Sequence, residues 1–459
     1  MPHHQMKHAT LFKLFVITSC AFATASGYAQ HIEIQLQGQR FAQHQAASPQ
    51  QSVLAVPSTL NIKLGQHTQF KQVSSTLYPG EIEFRFLTLG DAQGARVYDL
   101  LGWRAGLEAD TLDGKSAREL RAEAFFFDPQ LLLSTAKDIQ VMDTPTELQA
   151  QYQFQTFIDQ ASRPATMVID KQTRTVVSAR SANLSYLYSS NTQGEQKSPM
   201  LTVKLGENIV AQWNSVKLSP LAANSTTEFV APTGYQEKSA AGALRVENLG
   251  ANTYRINGSA SGYHMHFVVG ERSIAVFDAP IFPNEMAQIK KLIDASAPGK
   301  AISHIIFSHT HRDHIGGSAQ LVQEETKIWG GKDAKQAIQR QLGDTLNAIS
   351  TEVTAEQSID LGGRIIRVIP APSSHASDML IAYDAESKTL FQGDFFMMPE
   401  VGPAPVGFPV NRELQEKLTS VAIQPERIVS VHGRVGTWQD LEQTVLRFVQ
   451  QFNAKSSTP

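Results

Sequence analysis

"SHTHRDHIGG", residues 308 to 317, gathers three histidines and one aspartate between His309 and His314. It follows the apolar run "AISHIIF" (301–307), which places the cluster in the loop just past a strand. On a strand, His309 and His311 would point to one face. In a loop they can converge on one ion, with Asp313 and His314 turned toward another. Neutral imidazole and carboxylate suit zinc and other borderline divalent metals. The glycine pair Gly316–Gly317 is expected to open a helix.

Three further segments repeat the layout. "GRIIRVIPAPSSH" (363–375) is a strand followed by a loop ending at His375, "TLFQGD" (389–394) a strand ending at Asp394, and "ERIVSVHG" (426–433) a strand ending at His432. Ligands standing past the same ends of several strands meet in a shared crevice, where α/β sheets place their sites. The five histidines and two aspartates of these segments are enough for two metals sharing one carboxylate and one water. His264 and His266 lie on a strand and read as packed or exposed residues rather than ligands. His304 lies in the strand before the motif and reads as a core or supporting residue. Asp278, after "SIAVF", either supports a ligand or simply makes a turn.

The order His309-Thr310-His311-Arg312-Asp313-His314, then His375, Asp394 and His432, resembles the metallo-β-lactamase superfamily. It is most similar to that superfamily's dinuclear hydrolases of the hydroxyacylglutathione hydrolase type, over about residues 245–450. The resemblance implies an αββα sandwich with the site at one edge of its two sheets. It implies that His309, His311 and His375 hold the first metal, that Asp313, His314 and His432 hold the second, and that Asp394 bridges them. The cofactors implied are two divalent metal ions, zinc first, with iron or manganese as the other candidates. A metal-bound water with its pKa lowered to about 7 would serve as nucleophile, and Asp313 would also orient it. The superfamily's β-lactamases carry cysteine or serine at the place of Asp394, so Asp394 points to an ester, thioester or lactone substrate. Three other readings stay open: β-lactam hydrolysis, a mononuclear iron persulfide oxygenase using His309, His375 and Asp394, and a non-catalytic ligand-binding protein. Phe395, Phe396 and Arg434 are the candidates for substrate contact.

The rest of the chain sets the frame. Its 459 residues exceed the usual size of one domain. "MPHHQMKHATLFKLFVITSCAFATASGYAQ" (1–30) has the layout of a secretory signal peptide, with cleavage expected after Ala25 or Ala29. The mature protein is then periplasmic or secreted, with a lipid anchor at Cys20 as the lesser alternative. Cys20 is the one cysteine in the chain, so no disulfide and no thiolate ligand is expected after cleavage. A net charge of −3 without a dense basic run argues against nucleic acid or an anionic membrane as partner. No second long apolar run follows, so no integral membrane segment is expected after signal removal, and the partner is expected to be a small molecule.

Between the signal and the site the pattern is β-rich. Residues 30 to about 60 are rich in Gln, Ala and Ser and read as a mobile lead-in. "EIEFRFLTL" (81–89), "LQAQYQFQTFI" (148–158) and "ATMVIDKQTRTVVSARS" (165–181) alternate apolar and polar residues, as half-buried antiparallel strands do. "KSARELRAEAFFFDPQLLLSTAKD" (115–138) is helical in part. The stretch "WNSVKLSPLAANSTTEFVAPTGYQ" (213–236) is faintly similar to periplasmic lipoprotein-carrier domains. The organisation expected is an α/β protein: a β-rich N-terminal domain over 30–235, a linker over 236–244, and a C-terminal αββα metallo-β-lactamase-like sandwich over 245–455.

Overall fold

The computed structural model describes residues 32–42, 54–65, 69–78, 81–91, 93–102, 106–145, 147–155, 162–189, 200–221, 226–238, 242–280, 285–344 and 350–456. The signal-peptide and Cys20 readings lie outside the described residues. The chain is mixed α/β, with an antiparallel β-rich region preceding a two-sheet C-terminal domain.

Fourteen strands form the first sheet. Ile32–Ala42 and Asn208–Pro220 lie antiparallel at its middle. From Ile32–Ala42 the neighbours follow in chain order out to Glu108–Asp113. From Asn208–Pro220 they run backwards to Ala136–Asp143. The short strand Gln236–Glu237 adds in parallel beside Glu108–Ala109. One face of the sheet packs on the helix Gly114–Ala124, the turn Phe125–Phe127 and the helix Pro129–Thr135. Asp113 caps the first of these helices, its carboxylate accepting from Ser116 N.

The stretches 32–42 and 54–64 correct the expectation of a mobile lead-in. Ile32–Ala42 and Leu54–Leu64 pair with each other in full register. Their Gln-rich composition conceals a strict alternation: Ile32, Ile34 and Leu36 are buried, while Gln35 and Gln37 are exposed. Composition suggested a loop, but a period of two is what decides a strand with one face in the core.

The C-terminal domain holds two sheets. The seven-stranded sheet runs Arg245–Gly250, Thr253–Asn257, Met265–Val269, Ser273–Phe277, Ala301–Ile306, Lys327–Gly330 and Ser350–Glu352. The five-stranded sheet runs Gln357–Asp360, Ile365–Pro370, Leu380–Asp384, Thr389–Phe391 and Arg427–Val429. Their facing residues, among them Val268, Phe277, Ile306, Val368 and Phe391, form one buried cluster. The Phe277 and Phe391 rings stack across it with centroids 3.6 Å apart. The outer face of the first sheet is covered by the helices Met286–Ser296 and Ala334–Leu342. The outer face of the second is covered by Pro409–Ser420 and Trp438–Ser456. The result is an αββα sandwich. Each fully buried Ile, Val, Leu or Phe in these clusters contributes about 1.5–3 kcal/mol relative to exposure.

The β-rich region joins this packing. Ile82, with Tyr78, Phe84 and Leu101 beside it, belongs to the cluster that also holds Phe395, Phe396, Met397, Met398 and Phe408. Gly106, at φ +61°, touches the segment after Asp394: a Cβ there would lie 1.9 Å from the Val401 carbonyl oxygen.

Candidate metal centre

Four loops leave the two sheets on one side and bring the polar residues together. The strand Ala301–Ile306 runs into Phe307 and Ser308, and His309 follows. His311 then caps a one-turn helix, Arg312–Ile315, in which Asp313 and His314 sit. Gly316 ends that helix and Gly317 caps the next turn, a 3-10 helix over Ser318–Gln320, so the glycine pair closes one helix and opens another. The extended backbone of His311 (φ −68°, ψ 150°) already suits an N-cap, so the turn starts before the glycines. His375 follows Ile365–Pro370, Asp394 follows Thr389–Phe391, and His432 follows Arg427–Val429. Gly393, at φ +63°, lets the backbone pass Ser308, since a Cβ there would lie 2.2 Å from Ser308 Oγ.

All seven predicted ligands converge in two sets. One is His309, His311, His375 and Asp394, and the other is Asp313, His314, Asp394 and His432. Within each set the candidate ligand atoms lie within 4.8 Å of one another. Asp394 is divided between them. Its Oδ2 lies 3.5 Å from His375 Nε2 and 3.9 Å from His309 Nε2. Its Oδ1 lies 3.2 Å from His314 Nε2 and 3.5 Å from His432 Nε2. Asp313 Oδ2 completes the second set at 3.3 Å from His432 Nε2. In the first set His309 Nε2 and His311 Nδ1 face each other at 2.8 Å. Ligands at 2.0–2.1 Å around a tetrahedral zinc stand roughly 3.3 Å apart, so these spacings bracket what a metal requires.

The environment calls for cations. His314 Nε2 and Asp394 Oδ1 are buried and make no aligned hydrogen bond. Burial drives His314 toward neutrality, yet Asp394, Asp278 and Asp313 outweigh it and hold the imidazole pKa well above its ordinary value. Burial likewise pushes Asp394 up, but His314 and His432 outweigh it and hold the carboxyl well below the usual range. For Asp313 too burial is outweighed, by His314 and His432, and its pKa falls. Three carboxylates packed around histidines need positive charge, and protons on imidazole supply it when no metal does. The donor atoms are nitrogen and oxygen only, a set that fits zinc, manganese or iron.

Two further aspartates fix the ligands. Asp278, itself at φ +53°, accepts from Ser308 N at 2.7 Å and from Ser308 Oγ at 2.8 Å. Its Oδ2 also lies 3.0 Å from His314 Nδ1. That contact orients the ring so that Nε2 faces the second set. Asp278 therefore makes the turn and supports a ligand at once. Asp378 accepts from Thr310 N at 3.0 Å and from Thr310 Oγ1 at 2.6 Å, which ties the loop between His309 and His311 to the segment after His375. Sequence reasoning missed Asp378. Its only local signal is its place three residues after His375, in a loop without periodicity.

The remaining predicted residues lie elsewhere. Phe395 and Phe396 are 1% and 2% exposed and pack in the core under the helices, so neither presents a wall to solvent. Their apolar rings are worth more between sheet and helix than beside a polar site. The Arg434 guanidinium donates to the Val435 carbonyl and lies 4.0 Å from Asp440, which holds it at its own turn. His264 and His266 are buried outside both sets. His304 rests 5.8 Å from the Trp329 ring, also outside them.

Residues 261–432 match the family model of the metallo-beta-lactamase superfamily. A hydroxyacylglutathione hydrolase from Synechococcus sp. is 28% identical over 98 residues, covering 21% of this chain and 35% of the relative. A coenzyme F420H2 oxidase from Methanocaldococcus jannaschii is 24% identical over 149 residues, covering 31% of this chain and 35% of the relative. The matches thus span about a third of the curated relatives' own length. Among solved structures, an archaeal metallo-beta-lactamase superfamily protein from Sulfolobus tokodaii shares 18% identity at a TM-score of 0.31, over 42% of this chain and 82% of that one.

Proposed function

We propose, from the match of residues 261–432 to the metallo-β-lactamase superfamily, that the chain is a dinuclear metal-dependent hydrolase of an ester, thioester or lactone. The observation that carries the reading is Asp394, whose two carboxylate oxygens each face a different set of ligand candidates. His309, His311 and His375 would hold one divalent ion, and Asp313, His314 and His432 the other. Bound there, the ions would supply a water activated near neutral pH and charge to stabilise an oxyanion.

The chain's own residues set where substrate meets that water. Asp313 is the most open of the seven, its side chain 31% exposed against 17% for His432, 10% for Asp394 and 9% for His375. Substrate therefore approaches on the side of Asp313 and His432. The Asp313 carboxylate, already held low, can accept a proton-bearing O–H there and orient it toward a carbonyl carbon. Asp278, against His314 Nδ1, keeps Nε2 of that ring turned toward the second set.

The leader at residues 1–29 supports export to the periplasm or beyond. Among the described residues no helix is long and apolar enough to cross a membrane. A second, redox reading is favoured by the oxidase among the relatives, since the same nitrogen and oxygen donors suit iron.

The test is metal content per chain on protein purified without added metal, beside His432→Ala. About two zinc ions in the wild type, about one in the variant, and turnover in a screen of esters, thioesters, lactones and β-lactams would support the hydrolase. Iron in the purified protein, with oxygen consumption and no hydrolysis, would replace it by the redox reading.

A further inference from the structure

The polar groups behind His432 form a clamp that none of the seven ligand candidates belongs to. His432 is flanked by two carbonyls, and both are held. The backbone N–H of His264 donates to the Val431 oxygen at 2.8 Å. The guanidinium Nη2 of Arg255 donates to the Gly433 oxygen at 2.9 Å. The side chains of these two residues are each 7% exposed and converge on one carboxylate. Glu400 Oε1 lies 2.6 Å from His264 Nε2 and 3.5 Å from Arg255 Nη2. Arg255 has one other counter-charge, Glu247, at 3.5 Å. The Tyr263 ring meets the His432 ring edge-on, with centroids 5.3 Å apart.

Glu400 sits on the strap that follows Asp394, and the β-rich region grips that strap. Leu107 N donates to the Val401 oxygen at 3.0 Å. Gly106 lies so close that a Cβ would meet the Val401 oxygen at 1.9 Å and Pro399 Cβ at 2.6 Å. On the other side, Arg434 N donates to the Met398 oxygen at 3.1 Å. A continuous set of contacts thus runs from Gly106 and Leu107, through Glu400, to both carbonyls beside His432.

We propose that Glu400 is a positioning residue for His432, acting through Arg255 and His264, and that the β-rich region tunes the second metal set by holding the strap in place. Glu400 engages His264 and Arg255 with its carboxylate and belongs to neither ligand set, so it acts on the geometry of His432 rather than on an ion. The proposal rests on the two-metal reading. It also gives the β-rich region a task in the same site, apart from any ligand of its own.

The experiment is a cobalt(II) titration of the full-length protein after chelation, followed by visible d–d absorption. Glu400→Gln removes the charge at constant shape, and Gly106→Val forces the strap away from residues 106–107. The wild type should take up two ions in sequence. In Glu400→Gln the first ion should bind as in the wild type, while the second binds about 10-fold or more weakly, with a shifted d–d band. Gly106→Val should weaken the same ion and leave the other. Variants that match the wild type in second-ion affinity and spectrum would overturn the proposal, as would equal weakening of both ions. If Gly106→Val does not fold, Glu400→Gln decides alone. A wild-type chain that binds a single ion overturns the two-metal reading, and this proposal with it, before any variant is measured.

Discussion

Asp278 makes the sharpest single test of how the site is built. Three donors converge on its carboxylate: Ser308 N at 2.7 Å, Ser308 Oγ at 2.8 Å and His314 Nδ1 at 3.0 Å. In Asp278→Ala the hydroxyl can turn to His309 Nδ1, 3.1 Å away, so it is not stranded. The Ser308 N–H is stranded, in a place where Asp278 is 4% exposed, while His314 Nδ1 keeps only the Ser308 hydroxyl at 3.2 Å. One buried group left without a partner costs about 1–3 kcal/mol, and alanine in the left-handed backbone at φ +53° adds about 1, which gives about 2–4 kcal/mol. Asp278→Asn keeps one acceptor and tolerates the left-handed backbone at φ +53°, so it should cost about 1–2 kcal/mol. The assay is urea unfolding of chelated full-length protein, followed by tryptophan fluorescence. An alanine variant within about 0.5 kcal/mol of the wild type would refute the reasoning. So would an asparagine variant that costs as much as alanine. Metal titration of the asparagine variant adds a second check, since loss of a ligand's supporting partner weakens binding by about 10–100-fold.

Two further outcomes follow from the packing. Ile82→Ala should cost about 2–4 kcal/mol, because Ile82 is 1% exposed in the cluster that holds Phe395 to Met398; hydrogen exchange should then quicken at residues 395–408, and exchange confined to the first sheet would refute a shared core. His304 should titrate by NMR at about 4, because burial and then Lys327 disfavour its charged form. The unfolded chain takes up that proton near the ordinary histidine value, so this residue's contribution to stability is lost as pH falls from about 6.5 toward 4. His304→Gln should flatten that part of the acid limb, and a His304 titration near 6.5 would contradict the packing against Trp329.

The site was legible where residue type and local pattern coincide. His309, His375, Asp394 and His432 each stand past a short apolar run, and strands of that kind deliver their ends to one edge of a sheet. Asp378 was not legible, because its role depends on Thr310, which only the tertiary fold brings near. Glu400 was hidden in a Pro/Gly-rich stretch for the same reason. Phe395 and Phe396 were open in the sequence: nearness to Asp394 made them candidates for a substrate wall, while their apolar rings equally suited packing between sheet and helix, and the fold places them in the core. The strands between Ile32 and Leu64 were missed because composition was weighed above alternation, although Ile32, Ile34 and Leu36 already spelled out one buried face.

The seam between Ile32–Ala42 and Asn208–Pro220 has a bearing on how the molecule reaches its shape. Gln39 and Gln212 hydrogen-bond across it although 173 positions separate them. Every other antiparallel junction flanking the seam joins strands that are neighbours in the chain. Two meanders of short-range hairpins can therefore assemble early and independently, while the seam waits for a long loop to close. Gly38 sits at the bulge of that seam, where a Cβ would lie 2.1 Å from the Gln212 oxygen. A side chain at that one position would obstruct closure of the seam while leaving each meander's own hairpins intact, so joining the two meanders depends on a single residue.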